Sequence, residues 1–362
     1  MAHRSSLEAM GSGCARLCWQ SHALGPGRPA PVWPRRGARN DVRYQTGAGL
    51  TLPWFLAILL LSVWLQATDA QQEIRFAHYN VENYLEMNRR DGGESSFGPK
   101  PENEKVALFR IIKEIHPDIL GVAEMGPPTQ FEDFQKHLRE IELDYPYAEY
   151  VQGADPERHI ALVSRFKIVD HHSQGDLSFD LNGHREHVAR GILDVTVEVS
   201  PDCRLRLVGA HLKSRLPAPA GEALLRRNEA KLFRQHVVEI MEKDPAVNLL
   251  VYGDFNETKD QPAFQEIVGP RQARTHLYDI WLSDSQGDHW TYYRRFSDVY
   301  DRIDYILANH TLLPQVDRRR SFVYRSDDWR EASDHRPIVV TIRMPTLPTP
   351  PTLPTSETAG SE

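Results

Sequence analysis

One short segment of the chain places a carboxylate and an amide directly after an apolar run. Asp254 and Asn256 follow the run 249–252 through Gly253, and residues two apart in an extended chain face the same side. The carboxylate can accept a proton from water, and the amide can accept one hydrogen bond and donate others. The segment therefore predicts a site that positions an attacking water. It is equally typical of a turn held by side-chain bonds to its own backbone.

Oxygen donors follow two further apolar runs. Asn80 and Glu82 stand two residues apart after the first run, and Glu124 follows another. Mg²⁺ prefers hard oxygen ligands and takes only one or two carboxylates from a protein. The sequence thus predicts a magnesium site at these positions, whereas each residue taken alone is more typical of a solvated loop.

Two histidines, His211 and His335, each adjoin an apolar run that is typical of a strand. An acid, Asp334, directly precedes His335. Imidazole changes its charge near neutral pH, so these side chains suit proton transfer or hydrogen-bond donation to a phosphoryl group. One such histidine alone is more often bonded to a neighbouring carbonyl group. The occurrence of all these residues at predicted strand ends indicates an enzyme that acts on phosphate esters.

Strands must position these residues. Runs rich in β-branched and aromatic residues predict strands over residues 74–79, 119–123, 160–164, 188–199, 205–211, 248–252, 303–308 and 337–342. The consecutive runs 187–199 and 204–212 are typical of a β-meander. We therefore expect two mixed sheets rather than one doubly wound parallel sheet.

Helices are predicted between the strands. Helical spacing of apolar residues indicates helices over 105–116 and 222–242. The apolar side of the second helix is expected to contain Leu225, Leu232, Val238 and Met241. Alternating strands and helices imply an α/β or α+β fold with helices packed on sheets. No Pro- or Gly-rich linker divides the chain between about residues 73 and 343, so we expect one domain there.

The full set of motifs, in chain order, resembles the endonuclease/exonuclease/phosphatase superfamily over residues 73–343. The matching positions are Asn80, Glu124, His211, Gly253-Asp254-x-Asn256, Asp304 and Ser333-Asp334-His335. The superfamily includes deoxyribonucleases, apurinic-site endonucleases, neutral sphingomyelinases and inositol-polyphosphate phosphatases. The resemblance implies a four-layered α/β sandwich, in which two mixed β-sheets are flanked by helices and the strand ends converge on one metal site.

The resemblance implies a bound Mg²⁺ or Mn²⁺. By that similarity Asn80 and Glu124 hold the ion and Asp334 assists them. Glu82 stands where some members have a second metal-site carboxylate. Many members carry Gln before the metal-binding Glu, whereas Ala123 precedes Glu124 here, which alters the surroundings of the ligand without removing it. Such a metal polarises a phosphoryl oxygen and stabilises developing charge.

The resemblance also implies roles in the reaction. Asp254 orients or deprotonates the attacking water, and Asn256 fixes the position of that water. His335, steadied by Asp304, contacts the phosphate. Asp254 and His335 both remain candidates for the base. Asp301 and Asp304 are both candidates for the partner of His335, and the Arg-Ile-Asp-Tyr-Ile pattern of the family favours Asp304.

His211 is expected to donate a hydrogen bond to a non-bridging oxygen or to the leaving group. A histidine here resembles the deoxyribonuclease and sphingomyelinase branches, because the apurinic-site enzymes carry tyrosine at this position. Glu157 is the candidate partner of His211, although a Glu-Arg pair on a polar loop is usually a solvated ion pair.

The two ends of the chain differ in composition from the part between them. The apolar run 51–65 is shorter than the roughly 20 residues of a membrane-spanning helix and predicts a signal peptide over 42–70. Cleavage after Ala70 would give a secreted or periplasmic protein, and an uncleaved anchor is the alternative. Residues 1–41 are a low-complexity prefix, for which we hypothesise a misassigned start. Residues 344–362 are Pro- and Thr-rich, so we expect a disordered tail.

Charge limits the function only in part. The chain has a net charge of −7 and its first 70 residues carry +4, which leaves −11 for the rest. This acidity does not support binding of nucleic acid through a large positively charged surface. It is compatible with a nuclease in which a bound metal supplies local positive charge. We expect a monomer without a stable membrane span in the mature chain.

The motifs leave the substrate open, because the superfamily hydrolyses different phosphate esters with the same central residues. An exported endonuclease-like phosphodiesterase is the first expectation. A sphingomyelinase or other phospholipid phosphodiesterase and a phosphomonoesterase are the alternatives. Four arginine runs are candidate contacts for a nucleic acid backbone or a polyphosphate, although such runs are usually solvated: Arg89-Arg90, Arg226-Arg227, Arg294-Arg295 and Arg318-Arg319-Arg320. Trp290, Tyr292 and Tyr293 are candidate stacking surfaces. A non-catalytic binding module on the same fold is the alternative from another class.

Overall fold

The computed structural model describes residues 71–91 and 94–345, which fall in one compact unit. The expected prefix over 1–41, the signal peptide over 42–70 and the tail beyond residue 345 lie outside the described residues. Among the described residues, no helix is long and apolar enough to cross a membrane. The last strand continues to Pro345, two residues beyond the expected domain boundary.

The elements are numbered along the chain. The strands are β1 (Gln71–Tyr84), β2 (Met87–Asp91), β3 (Glu94–Gly98), β4 (Ile119–Met125), β5 (Tyr147–Val151), β6 (His159–Ser164), β7 (Lys167–His171), β8 (Ser178–Leu181), β9 (His184–His187), β10 (Leu193–Ser200), β11 (Cys203–His211), β12 (Leu249–Asp254), β13 (Tyr278–Asp279), β14 (Tyr292–Arg294), β15 (Val299–Asp301), β16 (Asp304–Ala308), β17 (Phe322–Val323) and β18 (Ile338–Pro345). The α-helices are α1 (Glu102–Ile115), α2 (Pro128–Glu140), α3 (Glu222–Lys243), α4 (Pro262–Val268) and α5 (Trp329–Ala332). Short 3₁₀ turns cover Leu313–Gln315 and Arg318–Arg320.

Two mixed sheets of six strands each form the body of the fold. The first has the order β17-β18-β1-β4-β6-β5, and the second has the order β13-β16-β12-β11-β10-β7. The β1–β4 and β11–β12 pairs are parallel, and the other pairs in these sheets are antiparallel. The pairs β2–β3, β8–β9 and β14–β15 form separate two-stranded ribbons. The two mixed sheets expected from the sequence are confirmed.

Apolar side chains fill three layers between the elements. Between the sheets, Phe76 of β1 packs edge-on against Tyr252 of β12, with ring centroids 4.7 Å apart. Phe109 of α1 and Phe134 of α2 belong to a second cluster, which covers the outer face of the first sheet. Phe233 of α3 belongs to a third cluster, on the outer face of the second sheet. The order helix, sheet, sheet, helix is the predicted four-layered sandwich.

Two glycines make room for Tyr252: Gly121 of β4 in the opposite sheet, and Gly209 of β11, the register partner of Tyr252 in its own sheet. A Cβ atom added at Gly121 would lie 2.4 Å from the Tyr252 ring, and one added at Gly209 would lie 2.5 Å from it. Because the ring is buried among closely packed neighbours, it has little room to move away. Gly121 stands shortly before Glu124 and Gly209 shortly before His211, so this contact lies beneath the strand ends that carry the candidate site residues.

The bounds of the predicted elements are close to those observed. Helix α1 ends at Ile115 because His116 takes a left-handed φ of 50° and its N–H bonds to the carbonyl group of Ile112 at 2.9 Å; Pro117 follows. The strand predicted over 188–199 is shorter than expected and begins at Leu193. Gly191, with φ of 73°, interrupts the extended chain before it.

The predicted apolar side of α3 is largely wrong. Of its four expected members, only Met241 is fully buried. The helix instead buries Phe233 together with the charged side chains of Arg226 and Glu229. Arg226 donates from Nε to Oε2 of Glu257 at 2.9 Å, and Glu229 accepts hydrogen bonds from two backbone N–H groups. A buried face that includes charged residues cannot be recognised from apolar spacing alone.

Candidate active site

Strand register places three candidate side chains next to one another in the second sheet. β11 pairs with β12 so that His211 stands beside Asp254, and β12 pairs with β16 so that Asp254 stands beside Asp304. In the first sheet, the parallel β1–β4 pair brings Asn80 level with the residue before Glu124. The predicted strand-end residues are therefore gathered at neighbouring edges of the two sheets.

The amide of Asn80 joins the two sheets at this point. Its Nδ2 donates to Oε1 of Glu124 at 3.1 Å and to Oδ2 of Asp254 at 3.0 Å. Its Oδ1 accepts a hydrogen bond from the backbone N–H of Glu82 at 3.1 Å. Asn80 is buried, and hydrogen bonds to charged groups in such surroundings are strong. The structure thus brings the predicted metal ligands together with the predicted water-activating acid.

Glu124 leaves the strand ladder at a β-bulge. The pairing of β4 with β6 passes from Ala123 to Met125, and Glu124 takes a left-handed φ of 61°. That conformation costs a residue with a Cβ about 1–2 kcal/mol, and such strain is concentrated at functional sites. The backbone N–H of Asn83 donates to Oε2 of Glu124 at 2.9 Å and holds the carboxylate in place.

Several carboxylates crowd one side of the site. Glu82 and Asp334 line the same pocket. Burial, together with the negative charges of Glu82, Glu124 and Asp254, raises the pKa of Asp334 to about 8. Burial also raises the pKa of Glu82. A divalent cation would relieve this repulsion, and hard oxygen donors suit Mg²⁺. The carboxylates therefore fit the predicted Mg²⁺ or Mn²⁺, with Glu124, Glu82 and Asp334 as the residues that would hold it. Asn80 would bind the ion through Oδ1 only after its amide turns, because Nδ2, which faces Glu124, cannot bind a cation.

A local turn orients Asp254. The backbone N–H of Asn256 donates to Oδ1 of Asp254 at 2.8 Å, which is the turn that the sequence offered as the alternative to a water-positioning site. Nδ2 of Asn256 donates to the carbonyl group of Leu212 at 3.1 Å. Burial and then the charge of Asp304 raise the pKa of Asp254 to about 6. The turn and the water-positioning site are compatible, because the turn fixes the carboxylate that faces the site.

Asp304, and not Asp301, is the partner of His335. Nδ1 of His335 lies 2.8 Å from Oδ2 of Asp304. Burial favours the neutral imidazole, but the charges of Asp304 and Asp254 outweigh it and raise the pKa of His335 well above its ordinary value. Burial also opposes ionisation of Asp304, yet His335 holds the pKa of that carboxyl below its ordinary value. Asp301 instead pairs with Nη1 of Arg215 at 2.6 Å.

The second nitrogen of His335 faces two acids. Its Nε2 lies 3.7 Å from Oδ2 of Asp254 and 3.9 Å from Oδ1 of Asp334. Ligand atoms of Asp254, Asp304 and His335 all lie within 4.8 Å of one another, which is close enough to hold a cation. Because Asp304 already engages Nδ1, Nε2 is the ring atom that can reach a phosphate oxygen or exchange a proton.

His211 lies in the site without its expected partner. Burial and then the charge of Arg190 lower the pKa of His211 well below its ordinary value, so the ring is neutral near pH 7. Its Nε2 lies 3.7 Å from Oδ2 of Asp254, and its Nδ1 has no hydrogen-bond partner among the described residues. The expected pairing with Glu157 is absent. Glu157 is exposed and accepts a hydrogen bond from Nη1 of Arg158 at 2.8 Å. The two neighbouring side chains thus form a solvated ion pair.

The sequence analysis assigns no role to two residues that support the site, Ser333 and His78. The hydroxyl group of Ser333 donates to the carbonyl group of Asn80 at 2.8 Å and accepts from the N–H of His335 at 3.0 Å, so it links β1 to the segment before β18 that carries His335. Buried His78 places Nε2 3.4 Å from Oδ1 of Asp304. Ser333 stands within a matched motif and His78 shortly before Asn80, but neither position shows from sequence what its side chain contacts.

The profile of the Endonuclease/Exonuclease/phosphatase family matches residues 77–335 of the chain. None of the curated protein sequences compared with the chain matches it significantly. Among solved structures, truncated TDP2 from Caenorhabditis elegans has a TM-score of 0.51 at 17% identity, over 75% of this chain and 98% of that one. The human Nocturnin catalytic domain with bound sulfate has a TM-score of 0.55 at 18% identity, over 76% of this chain and 97% of that one. An endonuclease/exonuclease/phosphatase family protein from Leptotrichia buccalis has a TM-score of 0.53 at 17% identity, over 74% of this chain and 99% of that one. At these identities the likeness shows a shared fold.

Proposed function

Because the chain belongs to the endonuclease/exonuclease/phosphatase family, whose members are phosphoester hydrolases, we propose that it is a Mg²⁺-dependent phosphodiesterase that cleaves nucleic acid. The observation that carries the proposal is the position of Asn80, whose amide contacts both a candidate metal ligand, Glu124, and the candidate water-activating acid, Asp254. Hydrolysis of a phosphate ester requires charge stabilisation and an activated water at one phosphorus atom.

Asp254 is the group that we assign to the attacking water. Its pKa of about 6 leaves it ionised near neutral pH, so it can accept the proton that the water loses. The hydrogen bonds from Asn256 and Asn80 to its two oxygens fix the carboxylate before substrate arrives. A bound divalent cation would polarise the phosphoryl oxygen and stabilise the charge that develops on it.

The two histidines serve as hydrogen-bond donors to the phosphate. His335 is protonated because its pKa is raised, and Asp304 fixes its Nδ1 so that Nε2 can donate to a non-bridging oxygen. Neutral His211 carries one N–H group, which can donate to a second oxygen or to the leaving group. Removal of one preorganised donor of this kind lowers kcat by about 10²–10³ in other hydrolases.

Export remains part of the proposal and has its own support. The apolar run 51–65 and the small residue Ala70 favour a cleaved signal peptide and a secreted or periplasmic enzyme. Sequencing the N-terminus of the protein recovered outside the cytoplasm tests this. A chain that begins at Gln71 is the expected result, whereas a chain that retains residues 51–65 would contradict cleavage.

The activity is tested on plasmid DNA, single-stranded DNA, sphingomyelin and bis-p-nitrophenyl phosphate, in Mg²⁺ or in EDTA. We expect DNA cleavage that EDTA and Asp254→Asn both abolish. The matched control is Asp202→Asn, which removes an exposed carboxylate at the opposite end of β11 from His211 and should leave the rate unchanged. Turnover of the lipid alone would replace the nuclease by a phospholipid phosphodiesterase. Inactivity on every substrate would favour a binding module.

A further inference from the structure

Side chains of β14, β15 and α5 form a surface directly beside the site. Tyr292 of β14 makes an isolated β-bridge to His335, and the ring centroids of these two residues lie 4.8 Å apart. The N–H of Tyr293 donates to the carbonyl group of Asp334 at 2.9 Å. The pocket that contains Asp334 continues along Phe296. The β14–β15 ribbon is therefore anchored to the residues that would act on the phosphate.

The aromatic rings of this surface are packed against one another. Tyr293 and Tyr300 have ring centroids 4.7 Å apart, and Trp290 lies 4.8 Å from Tyr300 and 4.9 Å from Trp329. The guanidinium group of Arg330 lies 4.5 Å from the centroid of Tyr293. We call these five residues the aromatic shelf. Rings held by mutual packing lose little conformational entropy when a ligand stacks on them.

Phe296, at the tip of the ribbon, is fully exposed. Its relative exposure is 102%, the highest among the exposed large hydrophobic side chains of the described residues. A phenyl ring left in water forgoes the stabilisation that its burial would contribute. An exposed ring that extends from a pocket beside a reactive site is suited to contact with the apolar face of a ligand.

Positive charge accompanies these rings. Arg295, next to Phe296, is exposed and has no carboxylate within ion-pair distance among the described residues. Arg294 pairs with Asp301 at 3.2 Å, and Asp301 also binds Arg215. In a chain with a net charge of −7, arginines at the edge of the site favour a locally anionic ligand.

We propose that the aromatic shelf and Phe296 bind unpaired bases of a single-stranded nucleic acid next to the phosphate that is cleaved, with Arg295 on the backbone. This inference rests on the proposed function and specifies its substrate class. The faces of bases are free to stack on aromatic side chains in a single strand, whereas in a duplex they are covered by neighbouring pairs. The shelf therefore selects single strands over duplexes.

The proposal is tested by equilibrium binding in EDTA, so that the measurement is independent of turnover. Fluorescence anisotropy compares the intact protein with labelled oligothymidylate, with a strand of abasic residues of equal length and with a duplex. We expect the tightest binding for oligothymidylate. Phe296→Ala should weaken that binding about tenfold, the scale of one lost base–aromatic stack, and leave the abasic strand unaffected. Phe97→Ala, which removes another ring that is 68% exposed but lies outside the shelf, is the matched control and should change nothing.

Three results would overturn the inference. The first is equal affinity of the protein for the single strand and for the duplex. The second is that Phe296→Ala weakens binding of the abasic strand as much as binding of oligothymidylate. The third is that Phe296→Ala loses binding to phosphatidylcholine vesicles and keeps its binding to DNA. Hydrolysis of bis-p-nitrophenyl phosphate by the unmodified protein separates the two proposals. If that hydrolysis is present while base binding is absent, only the shelf is wrong, and if base binding is present without any hydrolysis, only the phosphodiesterase is wrong.

Discussion

Asn80 in the first sheet donates a hydrogen bond at 3.0 Å to Asp254 in the second, and this contact joins the two halves of the sandwich at the candidate active site. The same amide also contacts Glu124. An amide placed between two carboxylates partly offsets their repulsion and fixes the distance between them. The separation between the metal ligands and the water-activating acid is therefore set by how the two sheets pack, not by a loop.

The pH dependence of activity should depend on Asp304. Its charge raises the pKa of both Asp254 and His335. With Asp254 as the base, kcat/KM on bis-p-nitrophenyl phosphate should fall as the pH drops through about 6, because the carboxylate becomes protonated. Asp304→Asn should move this acidic limb to lower pH and should also move the alkaline limb, set by deprotonation of His335, to lower pH.

The control for the pH profile is Asp301→Asn, since Asp301 pairs with Arg215 rather than with His335. It should shift neither limb. An acidic limb that stays in place in Asp304→Asn would contradict the electrostatic coupling between Asp304 and Asp254.

His211 and Glu157 should differ sharply in their effect on turnover. His211→Asn removes a buried donor beside Asp254, so we expect kcat to fall by about 10² or more. Glu157→Gln removes only an exposed ion pair, so we expect less than about a twofold change. Steady-state kinetics on the same substrate checks both. A loss in Glu157→Gln comparable to that in His211→Asn would show that the two residues act together in solution.

A buried ion pair behind the site should contribute to stability. Nη1 of Arg336 donates to Oδ2 of Asp284 at 2.8 Å, and the guanidinium group lies 3.4 Å from the centroid of Trp290. Asp284→Asn would leave Arg336 buried without its counter-charge, so the free energy of unfolding should fall by about 3 kcal/mol or more. Asp288→Asn, a half-exposed neighbour in the same loop, should cost far less. Urea unfolding of both variants provides the measurement.

This pair also gives stability a pH dependence. Burial disfavours the ionised carboxyl, but hydrogen bonds from Arg336 and from two backbone N–H groups hold the pKa of Asp284 well below its ordinary value. The stabilisation is thus fully present above about pH 4, the ordinary value for Asp, and is lost as the pH falls below it. Acid unfolding of Asp284→Asn should be correspondingly flatter between pH 4 and 2. An identical acid transition in both proteins would rule out this contribution.

The packing of the sheets beneath the site should be sensitive at Gly121. Gly121→Ala would place a methyl group 2.4 Å from the ring of Tyr252, and overpacking of this kind costs about 1–3 kcal/mol. Gly98→Ala is the matched control, because a Cβ there would meet nothing within 4 Å. Urea midpoints should separate the two variants. Equal midpoints would mean that Tyr252 has more freedom than its burial indicates.

The sequence predicts well both the fold and which side chains come together in the site. Both depend on patterns within short segments, namely apolar runs and the polar residues that follow them. Apolar runs locate β4 and β12, and the polar residues at their ends, such as Glu124 and Asp254, have to lie where those strands end. The family motif also identifies Asp304, although the choice against Asp301 needs the observed contact with His335.

What the sequence does not reveal depends on contacts between distant segments. His78 lies in an apolar run, and only the packing of β1 against β16 brings it to Asp304. Glu157 and its neighbour Arg158 are present in the sequence, but only the fold shows that the carboxylate pairs with Arg158 and does not reach His211. The burial of Arg226 in α3 depends on Glu257, which stands on another segment. Residue type restricts such pairings but does not choose between them.

The most direct test of the account is the Mg²⁺ dependence of phosphodiester hydrolysis in the wild type and in Glu124→Gln. Glu124 contributes negative charge to the predicted metal site and is held in a strained backbone conformation that points it there. The account predicts hydrolysis of bis-p-nitrophenyl phosphate that saturates with Mg²⁺ and is abolished by EDTA. In Glu124→Gln it predicts a need for about 10–100-fold more Mg²⁺. Hydrolysis that is unaffected by EDTA, or that has the same Mg²⁺ dependence in both proteins, would contradict it.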